Sequence, residues 1–346
     1  MSRLIFVLIS LMGTATYAVE VDDLYQSRTA IVSQNDQVRE QATVKILQQV
    51  LLKVVGNQAA LANKDLSPLL KQADQFVAQY AYLRDPTHSD SGLQLQLTFN
   101  EKALNQAISA MGLPIWKKSR PESVVWLVVN DANKQKILGA EDESQTAYRL
   151  MKQTTEKRGL PIFLPLMDLQ DQHQIRFAQT ATKLTEDNVF VQASKRYGAD
   201  MVILARLNKD KDDVSVDWQW LKSGELQRYQ SIGTMDVAVA MGINHIADTL
   251  AGQFAIIDQQ ASKRDYQLVI SDINDFTDYS RVQSYLKGLQ VVSDVNIVSL
   301  RDKQLDLRLR LASGLTIFNH VIQTDGLLIA ETKQANPDTL YYRLRP

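Results

Sequence analysis

The unbroken apolar run Val124-Val125-Trp126-Leu127-Val128-Val129 constrains the fold most. It is too short for a typical helix, and polar residues close it on both sides. With no polar alternation, both faces of such a strand are buried, which calls for a sheet with helices on each side. The neighbouring pattern supplies them. A helix is predicted around Ala147 to Lys157, ended by Gly159, and a short strand over Pro161–Leu166. Phe190, Ala193 and Tyr197 share a helix face stopped by Gly198, and Met201–Ala205 is a third strand. Lys209–Asp213 reads as a hairpin tip, and Val214, Val216, Trp218 and Trp220 share one face of the next strand. Ser223-Gly224-Glu225 turns into another strand, and Val239, Ile243, Ile246, Ala247, Leu250 and Phe254 recur at helical spacing. These elements make an α/β domain over residues 121–258.

Two further domains flank it, so the chain reads as three small domains of α/β and α+β class. Residues 19–116 begin with a helix carrying Val38, Ala42, Ile46, Leu47, Val50, Leu51 and Val54, ended by Gly56-Asn57. A second helix is expected from Ser67-Pro68, with Leu69, Leu70, Ala73, Phe76, Val77 and Tyr80 on one side. Asp85–Gly92 is a loop by composition. Leu93, Leu95, Leu97 and Phe99 alternate with polar residues as a half-buried strand, and Asn100 caps a short helix stopped by Gly112 and Pro114. Polar Lys117–Glu122 reads as a linker, with Trp116 placed to pack between domains. Residues 264–346 follow the order βαββαβ, the split-βαβ, ferredoxin-like arrangement. Its strands begin at Tyr266, run over Val291–Leu300 and Leu305–Leu311, and end with Leu340, Tyr342 and Leu344; its helices carry Val282, Tyr285, Leu286 and Leu289, then Leu315, Phe318, Val321 and Ile322, after which Asp325-Gly326 turns into Leu327-Leu328-Ile329. At about 100–200 residues per domain, 346 residues suit two or three domains.

The first residues read as an address. Arg3 precedes the apolar run Leu4–Met12, and Gly13-Thr14-Ala15-Thr16-Tyr17-Ala18 supplies small residues for a signal peptidase. Residues 1–18 are therefore expected to be a signal peptide cleaved after Ala18. The alternative is a retained anchor, but the run falls short of the roughly 20 residues a spanning helix takes. No later stretch is long and apolar enough to span, so the mature chain is expected in the periplasm without an integral membrane segment.

Charge and composition narrow the partners. Lys and Arg number 38 against 39 Asp and Glu, a net charge of −1; without Arg3 it is −2. With no basic excess, neither nucleic acid nor a strongly anionic membrane surface is an expected partner. Cysteine is absent, which excludes disulfides, thiolate metal sites and thiol nucleophiles.

No catalytic constellation emerges. His88, His173, His245 and His320 lie far apart, with no i, i+4 metal spacing. Asp272–Asp278 sets Asp and Asn two apart, but Phe276 stands where a calcium loop needs an oxygen ligand and Thr277 where it needs Gly. It reads better as a strand end and helix N-cap, and Asn208–Asp213 as a charged hairpin. The chain carries neither a glycine-rich phosphate loop nor a nucleophile elbow. No catalytic, cofactor or metal residue is assigned, and no cofactor is expected. Trp218 and Trp220 invite a stacking site, yet the apolar face they share with Val214 and Val216 reads as core. Arg308 and Arg310 alternate with Leu307, Leu309 and Leu311, and Arg343 and Arg345 with Tyr342 and Leu344. If those strands share a sheet, four guanidiniums and Asp306 project from one surface. That is either a solvated face or a docking surface for an acidic partner or a carboxylate ligand.

The exported start, the helical stretch Gln48-Gln49-Val50-Leu51-Leu52-Lys53-Val54-Val55-Gly56-Asn57 and Ala78-Gln79-Tyr80-Ala81-Tyr82 resemble a proteobacterial exported family known as a domain of unknown function (DUF two-zero-six-six). The resemblance runs over most of the mature chain and carries no catalytic residues. Ala193–Leu204, a helix–Gly-Ala-Asp–strand step, resembles the amino-terminal domain of TolB-type envelope proteins, which implies an interaction role. The expectation is a non-catalytic periplasmic binding or scaffold protein docking onto an envelope protein partner. Two other readings stay open: an envelope hydrolase with an unrecognised carboxylate pair, and a carrier of a small anionic or lipidic ligand. The sequence leaves the partner's identity and the oligomeric state open.

Overall fold

A computed structural model describes residues 19–84, 92–131, 134–175, 183–210, 213–222, 224–255, 265–289, 291–311, 315–331 and 338–345. The residues read as a leader, with the expected cleavage point, lie outside the described residues, as do His88 and most of the loop read over 85–92.

The first unit comprises β1 (Val19–Glu20), β2 (Gln26–Ala30), α1 (Asp36–Val55), α2 (Gln58–Ala62), α3 (Ser67–Leu70), β3 (Val77–Arg84), β4 (Leu93–Phe99) and α4 (Glu101–Ala110). The Asn35 side chain caps α1 by accepting from the N–H of Val38, and Gly56 ends it at φ 72°. Ile46, Leu47, Val50, Leu51 and Val54 are wholly buried against Leu95, Leu97 and Phe99 of the sheet β2-β4-β3. The long second helix expected from Ser67 is not formed. After α3 and a 3-10 turn at Ala73–Phe76, Val77 and Tyr80 lie on β3, where Tyr80 pairs with Leu97. The i, i+3, i+4 spacing of Leu69 to Tyr80 imitated one helix, but edge pairing with β4 claims the second half.

The second unit comprises β5 (Ser119–Arg120), β6 (Ser123–Asp131), β7 (Lys134–Leu138), α5 (Thr146–Arg158), β8 (Ile162–Phe163), α6 (Leu169–Gln174), α7 (Val189–Ser194), β9 (Met201–Asp210), β10 (Asp213–Lys222), β11 (Glu225–Gly233) and α8 (Met235–Phe254). The sheet runs β11-β10-β9-β6-β7, with β8 pairing β6 in parallel. β6 is covered on both faces, which is why its sequence does not alternate. Val125 and Leu127 face α5 and α8, while Val124, Trp126 and Val128 face Phe190 and Val191 of α7. Trp218 and Trp220 are core: Trp218 donates to Ser231 Oγ at 2.9 Å, and a Cβ on Gly242 of α8 would lie 2.0 Å from its ring.

The third unit comprises β12 (Asp265–Ser271), α9 (Phe276–Gly288), β13 (Val292–Arg301), β14 (Gln304–Leu311), α10 (Leu315–Asp325), β15 (Leu328–Ala330) and β16 (Thr339–Leu344). The order is βαββαββ, one strand more than expected. The sheet runs β13-β14-β12-β16-β15, and β16 lies parallel to β12, between it and β15. Gly326, at φ 67°, turns the chain from α10 into β15, and that extra edge strand shields one side of β16. Val282 and Leu286 of α9 and Phe318 and Ile322 of α10 pack on one face of the sheet, against Leu268, Ile270, Leu307 and Tyr342.

Candidate functional site

The alternation of Leu and Arg on β14 puts the leucines under the helices and the arginines outside. Leu305, Leu307, Leu309 and Leu311 are wholly buried, whereas Arg308, Arg310, Arg343 and Arg345 are exposed. β14 and β16 both flank β12, so Arg308, Arg310 and Arg343 stand on the face that carries no helix among the described residues. Arg345 lies one residue beyond β16, with Nη1 3.3 Å from where a Cβ on Gly326 would sit.

The register spreads these arginines apart. Arg308 stands opposite Gln267 and Arg343 opposite Ser271, two strands apart and four residues along β12. At about 4.8 Å per strand and 3.4 Å per residue, their Cα atoms are on the order of 15 Å apart. Acids interleave with them. Arg310 donates to Asp265 from Nε at 2.9 Å, and Asp306 accepts from Ser299 Oγ at 2.8 Å. Val269, at the centre of the face, is buried with Asp306 and Tyr341 as its cross-strand neighbours. The surface is a broad polar face with separated positive points rather than a guanidinium cluster.

The residues with the most demanding surroundings lie at the junction of the first two units, in the segment read as a linker. β5 pairs with β1, which draws Lys117–Glu122 back against the first unit. Helices α1 and α5 bring their C-terminal ends together there, and their free carbonyls need donors. Two wholly buried guanidiniums supply them. Arg120 donates to the carbonyls of Lys53 (2.6 Å), Gly159 (2.8 Å), Arg158 (2.9 Å), Trp116 (3.1 Å) and Lys117 (3.2 Å), and its guanidinium lies 4.1 Å from the centre of the Trp116 ring. Arg158 donates to the Gly56 carbonyl at 2.5 Å, to Asp248 Oδ1 at 2.6 Å and to Asn244 Oδ1 at 2.9 Å. Burial pulls the Arg120 pKa down to about 9, so it is charged at neutral pH. Burial also lowers Arg158, against the pull of Asp248. Lys53, nearly buried and likewise lowered by burial, donates to the Gln26 carbonyl at 2.9 Å. Trp116 does pack between the units: it is wholly buried, and a Cβ on Gly56 would lie 2.6 Å from its ring and 2.8 Å from Ala251 Cβ.

A third polar group braces the loop between β8 and α6. Asp171, wholly buried, accepts from Tyr197 Oη (2.5 Å), the Met167 N–H (2.9 Å) and Arg196 (3.2 Å). Arg196 also holds Asp168 through both carboxylate oxygens at 2.8 Å. This hydrogen bonding, chiefly from Arg196, holds Asp168 at about 2, while burial and Asp171 push Tyr197 up to about 12. The two carboxylates share one guanidinium and serve the loop's backbone.

Of the histidines, His173 is exposed on α6, and His245 stacks on Tyr229 (3.9 Å between centroids) beside Trp220. The His320 side chain lies outside the described residues. Asp275 caps α9 by accepting from the Asp278 N–H at 2.9 Å, the N-cap role expected for that cluster. Among the described residues no three histidines or acids gather as a metal site, and no helix is long and apolar enough to cross a membrane. Arg120 and Arg158 carried no sequence signal, because the carbonyls of Lys53, Gly159 and Gly56 and the side chains of Asn244 and Asp248 that they bind are brought to them only by the fold.

Residues 18–117 match a family model described as a domain of unknown function (DUF8605), less than half of the chain. This supports a family of unknown function for the first unit only; it does not confirm the family DUF two-zero-six-six expected over most of the mature chain. No curated protein matches. Among solved structures, the LpoB C-terminal domains from Salmonella enterica and Escherichia coli are each 11% identical with a TM-score of 0.21, covering 33% of this chain and 82% of theirs. TolB from Acinetobacter baumannii is 10% identical with a TM-score of 0.23, covering 44% of this chain and 32% of its own. At these TM-scores neither likeness carries weight for the fold or the role.

Proposed function

We propose that this chain is an exported, non-catalytic scaffold protein that docks a cell-envelope protein partner on the open sheet face of its third unit. One observation carries the reading. Arg308 and Arg343 are exposed and stand apart on a sheet face that carries no helix among the described residues, so they suit separate contact points on an extended surface. Three wholly buried charged side chains support it from the other side. Arg120, Arg158 and Asp171 are spent on backbone carbonyls, helix ends and a loop. The leader read in residues 1–18 supports a periplasmic location.

In-cell crosslinking of the tagged full chain, followed by fractionation and capture, tests this. The mature chain should fractionate with the periplasm and return one reproducible envelope protein, and Arg308→Glu with Arg343→Glu should lower its recovery by about tenfold or more. Unchanged recovery with both charges reversed, or a chain that stays in the cytosol, contradicts the reading.

A further inference from the structure

β13 is an edge strand, and among the described residues nothing pairs with its outer side. Edge strands are usually blunted by Pro, Lys, bulges or short length. Val292–Arg301 is ten residues long and contains neither Pro nor Lys. Its register with β14 is interrupted after Val292 and after Ile297. Ile297 and Leu300 face the helix side, opposite the buried Leu307 and Leu305, yet they are 44% and 50% exposed; Val298 is 56% exposed. The apolar layer of the third unit therefore ends at β13, where Ile297 and Leu300 stay about half exposed among the described residues.

A two-against-one bulge makes Ile297 and Val298 count as one position. Counted so, the strand is self-complementary about that position. Asn296 on one side matches Ser299 on the other, Val295 matches Leu300, and Asp294 matches Arg301. The faces agree: Asp294, Asn296, Ser299 and Arg301 belong to the open face, and Val295 and Leu300 to the helix side. A second copy turned about a two-fold axis through the bulge would meet polar with polar, apolar with apolar, and Asp294 with Arg301 twice.

We infer that β13 pairs antiparallel with β13 of a second copy of this chain, joining two five-stranded sheets across a two-fold axis at Ile297–Val298. This goes beyond the docking reading and leaves the open faces of both sheets free.

The absence of cysteine makes the test clean. The full chain without its leader should sediment as a dimer whose fraction rises with concentration. Asp294→Arg alone, or Arg301→Asp alone, sets like charges opposite each other and should raise the dimer dissociation constant by about tenfold. Both swaps together restore the pair and should return it to within about threefold of the parent. Val298→Cys should form a disulfide-linked dimer under mild oxidation, whereas Ser284→Cys on the exposed side of α9 should not. Circular dichroism and melting show that each variant is folded. A folded parent that stays monomeric at all concentrations overturns the inference, as does a double swap that fails to restore the dimer. So does a Val298→Cys chain that, in cells, captures a different protein in place of its own copy.

Discussion

Arg120 and Arg308 carry the same side chain in opposite surroundings. Arg120 is wholly buried, its donors taken by five carbonyls gathered from the ends of two helices and the segment between. Arg308 is exposed on a sheet face that carries no helix among the described residues, opposite Gln267 and Asn296. The first fixes two units to each other; the second is free to meet something else. The difference comes from backbone supply. Where helix C-termini converge, an arginine is the residue that can satisfy several carbonyls at once. On a sheet face every carbonyl is already paired, so the guanidinium is left to solvent or to a partner.

The sharpest way to break this comparison is to remove the buried member. Arg120→Ala leaves the carbonyls of Lys53, Arg158, Gly159 and Trp116 buried without that donor, and should cost about 3–5 kcal/mol in urea unfolding. Arg120→Lys keeps the charge but not the fork, and should recover only part of the loss. Gly56→Ala attacks the same junction from the backbone side. Gly56 sits at φ 72° with Trp116 and Ala251 in the way of a Cβ, so the change should cost about 2–4 kcal/mol.

Arg196 is an intermediate case, partly exposed but held by two carboxylates. The pKa of Asp168 is lowered from 3.8 to about 2 by that pairing. Its contribution is therefore present above the unfolded value of 3.8 and lost as the pH falls through about 2. Melting temperature should drop across that window, and Asp168→Asn should flatten this part of the profile. The smallest effect belongs to the exposed pair. Arg308→Ala and Arg343→Ala should each change unfolding free energy by less than about 0.5 kcal/mol. A larger loss would place them in the fold rather than on a docking surface.

How much of this the residues announced follows the same division. β6, α1 and α8 were legible because one side chain after another is apolar or recurs at helical spacing, and so were the buried roles of Trp218 and Trp220. The outward parity of Arg308, Arg310 and Arg343 was legible too, since the leucines between them fix the inner face. Their spacing was not, because it depends on β12 lying between β14 and β16. Lys117–Glu122 looked like a linker because it is polar, and nothing local tells a polar linker from a buried capping arginine. β7 was missed because Lys134, Gln135 and Lys136 are exposed on an edge strand and leave only Ile137 and Leu138 as an apolar trace.

The role of the bare face can be tested by its two sides. Photocrosslinking side chains placed at Gln267 and Gln304 on the open face, and at Ser284 and Lys287 on the opposite side of the third unit, would be compared in cells. Adducts to one and the same envelope protein are expected from the first pair and none from the second. Equal adducts from both sides, or no adduct from Gln267 and Gln304, would contradict docking through this face.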